Sequence, residues 1–208
     1  SAASLITPED VPEDYISQGK ILHVSGISQA ISDSACDAVF HAIDLAHKHG
    51  LRVSYDTNLR LKLWPLERAK AVIHSAMARC DIALPGLEDA VQLTGCTDPE
   101  KIAQFYSQLG PSIVALSLGK EGTLVIADDK TKVIPVVPMT AVDATAAGDT
   151  FDGAFLARLC EGDDPFDAAR YANVAAALST QGYGAVAPMP MREKVETFLN
   201  KHGEADLG

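Results

Sequence analysis

The sequence has no long hydrophobic run, no paired cysteines and no leader-like start. None of its apolar stretches approaches the roughly 18–20 residues that a membrane-spanning helix needs. The opening SAASLITPEDVPEDY is acidic and lacks the basic and apolar regions of a signal peptide. The four cysteines form neither a CxxC pair nor a Cys/His cluster with zinc spacing, which favours free thiols in a reducing compartment. These absences predict a cytoplasmic protein without a membrane partner.

Basic residues are scarce as well. The chain carries 17 Lys and Arg against 28 Asp and Glu, which gives a net charge of −11. A field of that sign repels phosphate backbones, so we exclude nucleic acid as a partner. There is no GxxxxGK[ST] and no GxGxxG after a strand, which excludes P-loop and Rossmann dehydrogenase readings. A small anionic ligand is still compatible with the charge, because helix N-termini bind anions through backbone N–H groups.

Strand-like and helix-like segments alternate along the chain. Short apolar runs predict strands at residues 20–28, 51–58, 80–85 and 112–119. Helical periodicity, with Pro or Gly at the ends, predicts helices at residues 33–49, 65–78, 87–95, 99–109, from 148 onward, 165–181 and 192–201. A hairpin is expected around Asp128-Asp129. This order predicts an α/β fold with a mostly parallel sheet and, without repeats or linkers, one domain over residues 1–208.

The segment DATAAGDTF, residues 143–151, carries the most chemical information. The small residues Ala146, Ala147 and Gly148 leave backbone N–H groups uncovered at the start of a helix, where the helix dipole is positive. Such a corner can hold a phosphate, and Asp149 beside it could accept a proton from an attacking hydroxyl. The alternative is a helix whose small residues serve close packing and whose Asp149 is an ordinary first-turn carboxylate.

Four segments together resemble one enzyme family. DATAAGD with the following TFDGAF closely resembles the C-terminal signature of the ribokinase-like (PfkB) carbohydrate kinases. SLGKEG, residues 117–122, is similar to the nucleotide-binding turn of that family, and YANVAAALSTQGYGA contains Asn173 at its adenine position. DTNLR, residues 56–60, resembles the DxNxR element of the 2-keto-3-deoxygluconate kinases and fructokinases. The resemblance covers essentially the whole chain and implies a three-layer ribokinase-like fold.

The resemblance also implies a role for each matching residue. Asp149 would be the base that activates the sugar hydroxyl, and the N–H groups of Ala146, Ala147 and Gly148 would stabilise the transferring phosphoryl group. Magnesium-bound ATP would be the nucleotide. The residues implied to hold it are Ser117, Gly119, Lys120, Gly122 and Asn173, and those implied to contact the sugar are Ile27 and Arg60. A monovalent cation such as K⁺ would lie against Asp143, Thr145, Ser179, Gly182 and Gly184.

The sequence departs from the family pattern in several places. Ala144 replaces a Thr of the signature, and Pro188 stands where some members have a cation-contacting Ser. Gly86 and Asp89 replace the Asn and Glu of the NxxE element. Nothing in the chain matches the N-terminal lid and the sugar-binding elements of the family. The chain therefore resembles the C-terminal two-thirds of such a kinase, and we expect the isolated chain to be weak or inactive in phosphorylation.

Three functional interpretations follow from these residues. The first is ATP-dependent phosphoryl transfer to a hydroxyl of a sugar acid, with 2-keto-3-deoxygluconate as the expected substrate. The second is a kinase for a neutral sugar such as fructose or ribose. The third is a non-catalytic nucleotide-binding remnant. Because missing strands would leave an open sheet edge and an uncovered apolar face, association into a homo-oligomer is a further expectation.

Overall fold

The computed structural model describes residues 2–202, with the side chain of His202 left out. The chain divides after Leu116 into two compact units. We call residues 1–116 the first unit and residues 117–208 the second unit. Each unit is described by itself, and the expectation of one domain over residues 1–208 stays a prediction.

The first unit contains parallel strands with helices between them. Strands β1, β2 and β3 are Ile21–Ser25, Arg52–Asp56 and Ile82–Leu84, and β4, Ile113–Ser117, follows next to β3. All three of these pairings are parallel. The helices are α1 Glu13–Ile16, α2 Gly26–Ala30, α3 Asp33–Lys48, α4 Leu66–Met77, α5 Leu87–Thr94 and α6 Pro99–Leu109, preceded by short 3₁₀ turns at Ala2–Leu5 and Pro8–Asp10.

Local chemistry explains where the longer helices begin and which face they bury. Ser32 caps α3 by accepting a hydrogen bond from the Ala35 N–H at 3.1 Å, and Asp98 caps α6 directly before Pro99. The apolar side of α3 is buried at Ala42 and Ile43 as its periodicity predicts. The central strands are buried on both faces, as strands of a parallel sheet covered by helices should be.

The strand expected at residues 20–28 is shorter than the sequence predicts. Strand β1 ends at Ser25, and Gly26 begins the five-residue helix α2. Gly26 packs against the backbone of the loop after β2, so closely that an added Cβ would stand 2.2 Å from the carbonyl oxygen of Thr57. An apolar run of this length cannot be assigned to strand or helix by periodicity alone. Here the change from strand to helix coincides with the close backbone contact between Gly26 and Thr57.

Among residues 117–202, the second unit joins a β-hairpin to three α-helices. Strands β5 and β6, Thr123–Ala127 and Lys130–Ile134, pair antiparallel around the predicted turn, where Asp128 and Asp129 both have positive φ as a two-residue type I′ turn requires. Strand β6 ends before Pro135, which has no N–H for the ladder. The helices are α7 Ala147–Glu161, α8 Pro165–Ser179 and α9 Arg192–His202.

The α/β class and the mostly parallel sheet are confirmed. Of the pairings described here, three are parallel and the β5–β6 pairing is antiparallel. Within residues 2–202, no helix combines the length and the apolar character needed to cross a membrane.

Candidate active site

A cleft of about 750 Å³ lies entirely within the second unit. It brings together the turn after β4, the start of α7 and one side of α8. Between them runs the segment of residues 136–141, which we call the wall segment. The lining residues are Ser117, Gly119, Lys120, Gly122, Val136, Val137, Pro138, Met139, Thr140, Ala141, Ala144, Ala147, Gly148, Phe151, Asn173, Ala176, Ala177 and Thr180. A cleft of this size and largely apolar lining can bury a nucleotide-sized molecule.

The start of α7 offers bare backbone amides. Within residues 2–202, the N–H groups of Ala146, Gly148 and Asp149 have no hydrogen-bond acceptor. The Ala147 N–H donates to the Ala144 carbonyl at 3.1 Å in this structure, and its use for a phosphate stays a prediction. The turn that folds residues 144–147 back on themselves uses this donor. The Asp149 side chain is exposed rather than packed, which leaves its carboxylate open to a ligand.

The residue that leads into α7 is held in an unusual conformation. Ala146 has φ 61° and ψ 19°, in the left-handed region that favours glycine. A non-glycine residue there costs about 1–2 kcal/mol because Cβ crowds the backbone. This conformation reverses the chain at the helix start and accompanies the turn made by Ala144 and Ala147.

We predict that Ala146→Gly stabilises the protein by about 1 kcal/mol, since glycine adopts positive φ without this crowding. Urea unfolding measures the change. Ala157→Gly provides the matched control, because Ala157 is an exposed position inside α7 where the same change should destabilise by about 1 kcal/mol. A lower urea midpoint for Ala146→Gly would show that the left-handed geometry carries no strain.

The turn after β4 approaches the end of β6 closely. The Leu118 N–H donates to the Gly122 carbonyl at 2.8 Å and closes the turn around the 3₁₀ segment Gly119–Glu121. Gly122 has φ +105°, and an added Cβ would stand 2.1 Å from the Ile134 carbonyl oxygen. Only glycine fits both this backbone conformation and this space. The predicted nucleotide-binding segment therefore requires glycine at position 122 for steric reasons.

The predicted nucleotide residue Asn173 lines the cleft but is only 5% exposed. Its side-chain amide bonds to Thr123, Ile134 and Pro135 within the second unit. The wall segment was not predicted from the sequence as part of the site. Its first residues, 136–138, end the run KVIPVVP, which the sequence predicts as the second strand of the hairpin, and the segment carries no ligand-binding signature of its own.

Two of the predicted cation residues, Thr145 and Gly184, bond to the carboxylate of a third, Asp143. Asp143 Oδ1 accepts hydrogen bonds from the backbone N–H and the hydroxyl of Thr145, and Oδ2 accepts the Gly184 N–H at 2.9 Å. The carbonyl of Thr180, next to Ser179, accepts the N–H groups of Val142 and Asp143. A carboxylate can accept about four hydrogen bonds, so Asp143 keeps capacity for a cation, and its oxygen-rich surroundings fit a hard ion.

These donors lower the pKa of Asp143 from its ordinary 3.8 to about 2, first through the Gly184 N–H and then through Thr145. A lowered pKa in the folded state stabilises the protein above pH 3.8, and this contribution is lost as the pH falls towards 2. We therefore predict that the NMR shift of the Gly184 amide titrates with a midpoint of about 2. Asp143→Asn should abolish this titration, and a midpoint near 3.8 would contradict the hydrogen-bonded loop.

The two predicted sugar residues belong to the first unit. Ile27 is half-buried on α2, and Arg60 is exposed in the loop after β2. Arg60 donates from Nη1 to the neighbouring Leu59 carbonyl at 2.9 Å. The Leu59 N–H donates to Asp89 Oδ2 at 2.8 Å, so Asp89 anchors this loop. Burial raises the pKa of Asp89, and the Leu59 N–H and the Arg60 charge oppose that rise.

The remaining ionisable groups form no metal cluster. In the part of the chain from residue 2 to residue 202, no group of three or more His, Cys, Asp or Glu side chains is arranged to hold a metal ion. The four cysteines, Cys36, Cys80, Cys96 and Cys160, are free thiols.

Known proteins resemble this chain over almost its full length. It is 34% identical over 203 residues to the 2-dehydro-3-deoxygluconokinase of Bacillus subtilis strain 168, a match that covers 96% of this chain and 62% of that protein. A PfkB protein from Polaromonas sp. JS666 has a similar crystal structure, with a TM-score of 0.84, 31% identity and coverage of 94% of this chain and 63% of that one.

A fructokinase from Vibrio cholerae O395, solved with fructose, ADP and calcium ion bound, has a TM-score of 0.87 at 28% identity, covering 96% of this chain and 66% of that one. The chain thus spans about three-fifths of the length of the curated relatives that it matches. The model of the pfkB family of carbohydrate kinases matches residues 1–192. This chain belongs to the pfkB carbohydrate kinase family.

Proposed function

We propose that this chain provides the nucleotide side of an ATP-dependent kinase for a sugar acid, with 2-keto-3-deoxygluconate (2-dehydro-3-deoxygluconate) as the substrate. The observation that carries the proposal is the cleft of the second unit. It is lined both by the turn at Gly119 and Gly122 and by the start of α7 at Gly148. A triphosphate bound by the turn would extend towards the amides of the helix start, where phosphates are stabilised.

The chemistry proposed for this corner is proton removal and charge stabilisation. The exposed Asp149 carboxylate would accept the proton of the attacking sugar hydroxyl. The N–H groups of Ala146, Ala147 and Gly148 would donate to the oxygens of the transferring phosphoryl group. Those of Ala146 and Gly148 have no acceptor within residues 2–202, which supports this role. Phosphoryl transfer depends mainly on such positioning and electrostatics, so few covalent participants are needed.

Magnesium and a monovalent cation fit the groups that are present. Magnesium bound to ATP keeps phosphate oxygens and waters as ligands, so a protein cage of several carboxylates is not required. It would neutralise the charge of the phosphates during transfer. Asp143 and Thr145 would hold K⁺ together with nearby carbonyl groups, including those of Ser179, Gly182 and Gly184. This assignment agrees with the spare acceptor capacity of the Asp143 carboxylate.

Calorimetry with ATP–Mg, together with a coupled kinase assay, tests the proposal. We expect ATP–Mg to bind and 2-keto-3-deoxygluconate to be phosphorylated slowly. Binding without transfer to this sugar acid, fructose or ribose would favour the non-catalytic remnant. Absence of ATP–Mg binding would overturn the nucleotide assignment itself. Transfer to fructose but not to the acid would identify a kinase for a neutral sugar.

Arg60 is the residue that should distinguish an acid from a neutral sugar. Its planar guanidinium can pair with a carboxylate through two parallel hydrogen bonds. We predict that Arg60→Ala weakens binding of 2-keto-3-deoxygluconate about tenfold or more, measured as Kd by calorimetry. Lys62→Ala removes an exposed cation from the same loop and should leave this Kd unchanged. Equal affinity in the wild type and in Arg60→Ala would remove Arg60 from acid recognition.

Two further properties complete the proposal. We infer a cytoplasmic location, which the free state of Cys36, Cys80, Cys96 and Cys160 supports. Nucleotide and sugar are the proposed partners, and association into a homo-oligomer stays a prediction.

A further inference from the structure

The side chain of Asn173 is committed to three groups of the second unit. Its Nδ2 donates to the Ile134 carbonyl at 2.9 Å and to the Pro135 carbonyl at 3.3 Å. Its Oδ1 accepts the hydroxyl of Thr123 at 2.8 Å. An Asn side chain has two N–H donors and two acceptor lone pairs. Both donors and one lone pair are therefore used inside the protein, and little capacity is left for a nucleotide base.

The orientation of this amide is fixed by its partners. Two carbonyl oxygens can be satisfied only by an NH₂ group, so Nδ2 must face Ile134 and Pro135, and Oδ1 must face Thr123. Asn173 is 5% exposed and Thr123 is 1% exposed, so these bonds lie out of solvent. Hydrogen bonds in such surroundings are costly to leave unmade.

The two carbonyl groups that Asn173 binds lie directly before the wall segment. Pro135 ends strand β6, so the carbonyls of Ile134 and Pro135 lie at the point where the ladder stops and the wall segment starts. The Asn173 amide on α8 thus pins the first end of the wall segment. Helix α8 also lines the cleft itself, through Ala176 and Ala177. The same helix therefore forms one side of the cleft and, through Asn173, holds the start of the wall segment on another side.

The other end of the wall segment is attached to the residues just after α8. The Gln181 side chain donates to the Thr140 carbonyl at 3.2 Å, and the Thr180 carbonyl accepts the Val142 N–H at 2.8 Å. Between the two ends, Val137 and Met139 pack against an apolar cluster of α8 and α9. The wall segment is therefore held by hydrogen bonds at both ends, and the buried side chain that binds its start is Asn173.

We propose that Asn173 is a positioning residue of the nucleotide cleft. It acts through the Ile134 and Pro135 carbonyls, which set the start of the wall segment, and Thr123 holds the amide in the orientation this requires. The inference rests on the proposed function for the identity of the ligand. It differs from the role that the family resemblance implies, in which Asn173 contacts the adenine itself.

Thr123 allows the two roles to be separated. It does not line the cleft, so its replacement removes no contact with the ligand. Thr123→Val keeps the shape but leaves Asn173 Oδ1 without its donor, whereas Thr123→Ser keeps the hydroxyl. Leu159→Val, a change at a buried α7 position that does not line the cleft, is the matched control for a general loss of stability.

Two measurements on the full chain test the proposal: calorimetric Kd for ATP–Mg, and amide hydrogen exchange of the wall segment without ligand. Thr123→Val should weaken ATP–Mg binding about tenfold and speed exchange at Val136, Val137 and Met139. Thr123→Ser keeps the hydroxyl, so both quantities should stay within about twofold of the wild type. Leu159→Val should lower the unfolding midpoint and change neither.

The outcomes separate this inference from the proposed function. If Thr123→Val leaves both affinity and exchange unchanged while Asn173→Ala weakens binding, Asn173 contacts the base directly and the inference is wrong. If the wild type binds no ATP–Mg but Thr123→Val still speeds exchange and Thr123→Ser restores it, the nucleotide assignment fails and the positioning role stands. If Thr123→Val changes neither the Kd for ATP–Mg nor the exchange of the wall segment, the inference is overturned.

Discussion

Asp149→Asn is expected to lower the rate of phosphoryl transfer about a thousandfold, within the range that a general base contributes. The amide has nearly the same shape as the carboxylate but cannot accept the proton of an attacking hydroxyl. ATP–Mg binding should stay within about twofold of the wild type, since Asp149 does not line the cleft and its side chain is exposed. A single-turnover measurement of ADP formation with the sugar acid gives the rate, and calorimetry gives the affinity.

A second first-turn carboxylate provides the control. Asp167 lies in the first turn of α8 and pairs with Arg170 at 2.8 Å. Asp167→Asn makes the same chemical change at an equivalent helix position outside the cleft, and it should leave the rate unchanged. Equal rates in the wild type and in Asp149→Asn would support the alternative of an ordinary first-turn carboxylate. Equal losses in the two variants would indicate a general effect of helix charge.

Gly122→Ala should be the most damaging change in the nucleotide-binding turn. The new Cβ would lie 2.1 Å from the Ile134 carbonyl oxygen and 2.9 Å from Pro135 Cα, and both are backbone atoms that cannot turn aside. Positive φ adds its own strain. We expect a loss of about 3 kcal/mol or more in the free energy of unfolding and a loss of ATP–Mg binding, because the start of the wall segment must move.

Gly119→Ala separates conformation from crowding. Gly119 has φ +63° but nothing within 4 Å of an added Cβ, so this variant carries the conformational strain alone, about 1–2 kcal/mol. Urea unfolding of the two variants measures the difference. A loss for Gly122→Ala no larger than that for Gly119→Ala would show that the turn can move away from β6 without cost.

Local features of the site could be predicted because they depend on short stretches of chain. The start of α7 was expected at Gly148 and lies at Ala147, and the turn at Asp128-Asp129 is present. Small residues before an amphipathic helix and two adjacent aspartates between strands specify these geometries within a few residues. The exposed position of Asp149 follows from the same local pattern.

The hydrogen bonds that these amides make within the protein could not be predicted from the sequence. The sequence indicated Ala146, Ala147 and Gly148 as a set, but the N–H of Ala147 is used by the Ala144 carbonyl. That bond depends on the left-handed conformation of Ala146, which alanine seldom adopts. Residue preferences average over such strained conformations, so the pattern alone could not show which donor the turn would use.

The sequence by itself determined the alternation of strands and helices, the small-residue start of α7 and the family. Periodicity, capping and short motifs act over a few residues and are written directly in the chain. Tertiary structure alone decided that Gly122 meets Ile134, that Gly26 meets Thr57 and that Asn173 bonds to Ile134 and Thr123. The partners in these contacts lie between 12 and 50 residues apart, and only the packed chain brings them together.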